Sequence, residues 1–213
     1  MQGARIGVTA SRRGAELVAS LERRGAAVLH GPTLDGDRPV PDEELVADTR
    51  MVLAAEPDWL IATTGVGMRL WVDAVDRAGL GDELRAVAAR ATCIARGAKA
   101  AGGLAALDQQ PVWTSPSNTD RDAAGWLKGR VLAGQTVAVQ LHGGGPRTYD
   151  DVLTGVDLVS VMSYRWSLPE DASGADELIR RCVAGELDVV TFTSAGAVTN
   201  LFTLAQRRGD DVV

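Results

Sequence analysis

The feature that most constrains this chain is that it repeats itself at a fixed distance. Adding 130 to the numbering carries Gly25 onto Gly155, Val28 onto Leu158 and Asp58 onto Asp188. The stretch DWLIATT, residues 58–64, falls on DVVTFTS, residues 188–194, and RIGVTA, residues 5–10, falls on QTVAVQ, residues 135–140. Several landmarks that share one offset identify two diverged copies of one unit. The alternative is a coincidence among common α/β patterns, and it would have to place every match at the same spacing. The unit itself is legible near the N-terminus. ARIGVT is a short β-like run and Ser11-Arg12-Arg13-Gly14 is a turn. Leu17, Val18 and Leu21 have helix spacing, Gly25 stops that helix, and residues 26–29 form a second strand. A β-α-β unit implies a parallel sheet.

The repeat also exposes an absence. The first copy continues with ATCIARG as a strand and turn, a helix over 98–107, a strand over 111–113 and a helix over 121–132. The second copy would need residues beyond 220 to match, yet the sequence stops at Val213. The second unit is therefore expected to be short by about two strands. Three explanations stay open: a truncated polypeptide, a region beyond Val213, or a second half that is smaller.

With 213 residues the chain can bury roughly 70% of its unfolded surface, so it needs no staples. Its two cysteines, Cys93 and Cys182, sit in apolar runs and read as reduced core residues of a cytoplasmic protein. Only His30 and His142 are present, which argues against a zinc site of the usual ligand types. The first 20 residues carry Arg5, Arg12 and Arg13 and lack a long apolar core, so they are no signal peptide, and no 18-residue apolar run spans a membrane. The net charge of −6 makes this chain alone a poor nucleic-acid binder, although an acidic chain can still hold a locally positive cleft.

Ligands of open α/β sheets bind outside the carboxyl ends of the strands, where the next helix offers free N–H groups. Five strand-end turns here have suitable residues: Thr63-Thr64-Gly65, Gly97-Ala98-Lys99, Ser11-Arg12-Arg13-Gly14, His142-Gly143-Gly144-Gly145-Pro146-Arg147 and Thr193-Ser194-Ala195-Gly196. Any one of them is explained equally by ordinary helix capping. Their number, with Arg12, Arg13, Lys99 and Arg147 nearby, points to a large anion bearing several carboxylates or phosphates. Familiar catalytic signatures are missing. Gly65-Val66-Gly67 is followed by Leu70 where a dinucleotide fingerprint needs glycine, and there is no GxxxxGK[ST]. His142-Gly143-Gly144-Gly145 has the look of an esterase oxyanion loop, but no serine lies in GxSxG.

The order ELVASLERRGAAVLHGP, DWLIATTGVG, CIARGAKAAGGL, VSVMSYRW and DVVTFTSAGAV resembles the uroporphyrinogen-III synthase family over essentially the whole chain. The resemblance implies two flavodoxin-like parallel-sheet domains joined by a two-stranded connector. One would combine residues 1–33 with 167–213, with its second copy incomplete at the C-terminus; the other would be 36–162. It implies a substrate, hydroxymethylbilane, which is a linear tetrapyrrole with eight carboxylates. The reaction it implies closes that substrate to uroporphyrinogen III with inversion of ring D through a spiro intermediate, loss of water and no cofactor. Tyr164 matches the family's connector tyrosine, whose phenol, protonated at neutral pH with an ordinary pKa of about 10, would donate to the departing hydroxyl; a connector aromatic with no chemical role is the other reading. The residues expected to bind substrate are Arg12, Thr63, Thr64, Gly65, Gly97, Lys99, His142, Gly143, Thr193, Ser194 and Ala195. Some positions depart from the family pattern: Ala100 replaces a frequent threonine, His142 a frequent arginine, and the FTSP turn reads ATTG and FTSA. ATTGVG, ARGAK, VAVQLHG and YRW are similar to an actinobacterial subgroup in which a winged-helix DNA-binding domain often follows. A tetrapyrrole-sensing regulatory module is therefore the alternative to a synthase, and an unrelated anion binder is the third reading.

Overall fold

The computed structural model describes residues 1–35, 37–143 and 148–210, with Asp37 and His142 described by backbone alone. The chain begins with β1 (Arg5–Val8), α1 (Gly14–Glu22), β2 (Ala27–His30), β3 (Asp37–Pro39) and α2 (Asp42–Ala55). It continues through β4 (Trp59–Ala62), α3 (Gly65–Arg77), α4 (Gly81–Arg90), β5 (Thr92–Ala95), α5 (Ala98–Leu104) and β6 (Trp113–Thr114). Then come α6 (Asp120–Lys128), β7 (Thr136–Gly143), α7 (Thr148–Val152), β8 (Asp157–Trp166), α8 (Ser173–Val183), β9 (Val189–Thr191) and α9 (Ala195–Arg208). Two compact units result: Met1–Arg38 with Trp166–Val213, and Pro39–Arg165. The sequence expectation put the bounds at 33/36 and 162/167. The observed crossings lie at 38/39 and 165/166, within β3 and near the end of the ten-residue β8.

The first unit holds a parallel sheet of order β2-β1-β9. Strand residues alternate between faces, so Ile6 and Val8 meet Leu21 of α1. On the opposite face Leu29 and Val190 meet Leu178 and Ile179 of α8 and Leu201 and Leu204 of α9. Asp188, just before β9, fixes the register. Its carboxylate accepts from the Arg5 backbone N–H at 2.7 Å and from Arg5 Nη2 at 2.8 Å. Those bonds favour the ionised form and hold the carboxyl at about 2. Asp58, 130 residues earlier, accepts from the Thr136 N–H at 2.9 Å and so clasps the neighbouring strand in the same way.

The second unit is built on a sheet of order β3-β8-β7-β4-β5-β6. The pairs from β8 to β6 are parallel. Counting β7 as first, β8 to β6 run 2-1-3-4-5, the flavodoxin-like order. Leu60, Ala62, Cys93 and Ala95 face the layer of α2, α3, α4 and α5. Ile61, Ile94, Val137 and Val139 face α6 and α7. At the 130-residue offset β2-β1-β9 corresponds to β8-β7-β4, while β5 and β6 have no counterpart among the described residues. This is the two-strand shortfall that the repeat predicted. Among the described residues β9 is the last strand of its sheet and Val189 and Phe192 are exposed, whereas β4, its equivalent, is an inner strand.

Element ends differ from expectation for local reasons. The helix expected over 121–132 stops at Lys128 and gives way to a turn at Gly129, a poor helix former. The strand expected over 111–113 forms at Trp113–Thr114, since Pro111 has no N–H to give a ladder. The helix expected over 98–107 tightens into a 3₁₀ turn at Ala105–Leu107. Cys93 is buried, and desolvation raises its thiol to about 11, but Cys182 is half-buried rather than a core residue. Among the described residues no helix is long and apolar enough to cross a membrane.

Candidate functional site

In a 2-1-3-4-5 sheet the strand order reverses between the first and third strands, and the crevice opens at their carboxyl ends. Here those strands are β7 and β4. The backbone N–H groups of Thr63 and Thr64 leave the ladder at that point and need acceptors. Gln140, a buried amide directly after the apolar run Val137–Val139, supplies one. Its Oε1 accepts from Thr63 N at 3.2 Å and Thr64 N at 3.0 Å, and its Nε2 donates to the Leu141 carbonyl. The Thr63 hydroxyl donates to the Gln140 carbonyl at 2.6 Å. A buried Thr63 is thus tied to β7 by side chain and main chain alike.

Thr64 caps α3, its Oγ1 accepting from the Gly67 N–H at 3.1 Å. Ser194, its partner at the offset, caps α9 by accepting from the Ala197 N–H at 3.2 Å. The two hydroxyls that the repeat aligned therefore perform the same structural task. The small residues beside them have a packing reason as well. A Cβ on Gly65 would stand 2.3 Å from the Lys99 carbonyl oxygen, one on Gly67 2.2 Å from Gln140 Nε2, and one on Gly196 2.9 Å from the Trp166 ring. The Lys99 carbonyl, and no open gap, occupies the space that Gly65 leaves.

Replacing Gln140 by Leu is expected to leave the Thr63 and Thr64 N–H groups without their side-chain acceptor. A buried polar group left unsatisfied costs about 1–3 kcal/mol, and Thr64 is only part-buried, so a total loss of about 2–3 kcal/mol is expected. Urea unfolding should show it as a lower midpoint at constant slope. A loss below about 0.5 kcal/mol would mean that water replaces the amide.

The other expected residues fall into two groups. In the second unit, Gly97 and Lys99 follow β5, with Gly97 buried and Lys99 exposed. A Cβ on Gly97 would lie 2.0 Å from Asn118 Oδ1, so the Asn118 amide rests directly on that turn. Gly143 closes β7 with φ 55°, a left-handed conformation that favours glycine, where the register against β8 shifts. It pairs with Arg165, which places the adjacent Tyr164 at the same end of the sheet. Tyr164 is 4% exposed, more enclosed than a half-buried connector aromatic. The His142 side chain and Arg147 lie outside the described residues. In the first unit, Thr193, Ser194 and Ala195 follow β9 on an exposed turn, and Arg12 is exposed after β1. Arg13 pairs with Glu16 at 2.6 Å, so its charge is partly answered within its own helix. The structure thus places Thr63, Thr64, Gly65, Gly97, Lys99, Gly143 and Tyr164 at the carboxyl ends of strands of one sheet and Arg12, Thr193, Ser194 and Ala195 at the carboxyl ends of strands of the other unit's sheet.

The family model of uroporphyrinogen-III synthase HemD matches residues 15–212. The chain belongs to the uroporphyrinogen-III synthase family.

Among solved structures, a mutant uroporphyrinogen III synthase from the extreme thermophile Thermus thermophilus superposes with a TM-score of 0.80 at 29% identity, over 94% of this chain and 77% of that one. The wild-type Thermus enzyme gives 0.72 at 30% identity, over 94% and 76%. An uncharacterized Bacillus subtilis protein, YjjA, is 30% identical over 97% of this chain and 77% of its own length. The mixed α/β architecture is accordingly the two-domain uroporphyrinogen III synthase fold. Within that fold, sequence reasoning missed Gln140 and a group around Arg96. The signal for Gln140 was present: a lone amide in TVAVQL, where alternation calls for a core residue on both sides.

Arg96 directly precedes Gly97. Its Nη1 lies 3.4 Å from Asp120 Oδ2, and Asp120 Oδ1 accepts from the Tyr149 hydroxyl at 2.9 Å. Tyr149 is buried among Ile61, Ile94 and Val139. Burial, then the neighbouring Asp120 charge, pushes its phenol well above the ordinary tyrosine range, so it remains a donor. These residues are 24 and 29 positions apart in sequence, and no local spacing announces them.

Proposed function

We propose that this uroporphyrinogen-III synthase family member closes hydroxymethylbilane to uroporphyrinogen III in tetrapyrrole biosynthesis, inverting ring D and releasing water without a cofactor. The observation that carries the proposal is the arrangement of hydroxyls, glycines and cations at the carboxyl ends of the strands in a chain of this family. A substrate with eight carboxylates needs many donors held in fixed places rather than one strong centre. The N–H groups of helix N-termini that no cap satisfies, with the exposed Lys99 and Arg12 beside them, supply such donors at little entropic cost.

The chemistry assigned to Tyr164 is proton donation. The hydroxymethyl oxygen leaves as water when it receives a proton, and the phenol supplies it. The proton freed as the new carbon–carbon bond forms returns to the phenolate, so the tyrosine is regenerated. Orientation supplies the rest of the rate, because the open bilane must be folded before its ends can react.

The test is the isomer formed. Protein supplied with hydroxymethylbilane should yield, after oxidation and chromatography, the type III porphyrin well above the uncatalysed background. Appearance of the type I isomer alone would end the proposal.

A further inference from the structure

We infer that a hollow at the ends of β4 and β5 is a subsite for one carboxylate arm of the ligand, with Asp120 and Tyr149 positioning Arg96 to serve it. The inference rests on the proposed polycarboxylate substrate and adds to it the site of one arm and the residues that hold it.

The hollow has a volume of about 360 Å³ and is lined by Thr63, Arg96, Gly97, Lys99 and Asn118 among others. That space accepts a carboxymethyl or carboxyethyl group with room for the pyrrole edge that bears it. Its described lining contains Arg96 and Lys99 and no carboxylate; Asp120 answers part of the Arg96 charge from behind, so the excess is about one positive charge in a chain whose net charge is −6. A local excess of positive charge in an acidic protein draws an anion to that spot. Asn118 adds an amide directly above Gly97, and no side chain larger than hydrogen would fit at that glycine.

A guanidinium binds a carboxylate best when its orientation is fixed beforehand, because less rotamer freedom is lost on binding. Arg96 is 23% exposed and is held from behind by Asp120, which is 12% exposed. Asp120 uses one oxygen for Arg96 and the other for Tyr149. Tyr149, locked in the core, cannot follow a wandering aspartate. The order of support runs from the core outward: Tyr149 fixes Asp120, Asp120 fixes Arg96, and Arg96 faces the hollow. Asp120 and Tyr149 touch no ligand in this arrangement and act only through Arg96.

The test uses propionate, a single carboxylate arm, followed by ¹⁵N–¹H spectra of the whole chain. Propionate should shift the amides of Gly97, Lys99 and Asn118 in a saturable way. Arg96→Gln should weaken that binding by about 10–100-fold, as expected for losing a charged hydrogen bond. Arg96→Lys should recover part of it, and Tyr149→Phe should weaken it by about 3–10-fold while the rest of the spectrum stays in place. If Arg96→Gln does not fold, Lys99→Gln, at an exposed position, provides a second reading of the same titration. Propionate that moves none of these amides overturns the subsite, even if the protein makes the type III isomer. Binding unchanged by Arg96→Gln or by Tyr149→Phe overturns the positioning role. Saturable binding without type III product would leave the subsite standing and remove the proposed reaction instead.

Discussion

Tyr164→Phe is expected to lower turnover of hydroxymethylbilane by about 10²–10⁴-fold, the usual effect of removing a positioned acid. The ring remains, so the packing of β8 should survive, and Tyr164 is 4% exposed, so that packing matters. KM should change little, since the phenol is assigned to the departing water rather than to the carboxylate arms. A fall in kcat with KM held marks an interaction made mainly in the transition state. Stopped-flow or chromatographic rates for the variant, with circular dichroism to verify the fold, decide the matter. A loss below about tenfold would give most of the rate to orientation of the bilane, and Tyr164 would then be a connector aromatic.

Trp71→Ala should be the most destabilising single change in the second unit. The indole is fully buried among residues of α2, α3 and α4. Its N–H donates to Thr49 Oγ1 at 2.8 Å, and the Thr49 hydroxyl donates in turn to the Leu45 carbonyl at 2.5 Å. Truncation creates a cavity and removes a donor, and changes of this kind cost about 3–5 kcal/mol. Whole domains are stable by only about 5–15 kcal/mol, so the variant should unfold at much lower urea and melt at least about 6 °C lower. Trp71→Phe keeps most of the volume and should cost clearly less. A cost below about 1.5 kcal/mol for the alanine variant would show that this layer closes up around the gap.

Thr64 and Ser194 were singled out by the repeat and by the strand-to-helix pattern, and both do sit at strand ends as helix caps. Capping is a local event that involves residues three apart, so a one-dimensional pattern can reveal it. Gly65 shows the limit of such reading. A small residue at a strand end suits a close ligand, but it suits a close backbone equally, and here the Lys99 carbonyl fills the space. No residue near Gly65 in sequence could have distinguished the two. The shifted ends of α6 and β6 are milder cases, set by Gly129 and Pro111.

Sequence by itself determined the duplicated parallel α/β plan, the family and the strand-end turns. Each of these is written in periods of two or about 3.6, in glycine placement, or in a constant offset, and all survive without knowledge of distant contacts. Only the tertiary structure decided that Gln140 ties β7 to Thr63 and Thr64, and that Tyr149 reaches Arg96 through Asp120. Those links join residues 24 to 77 positions apart. They exist because sheet order and side-chain direction, which packing sets, bring separate strand ends to one place.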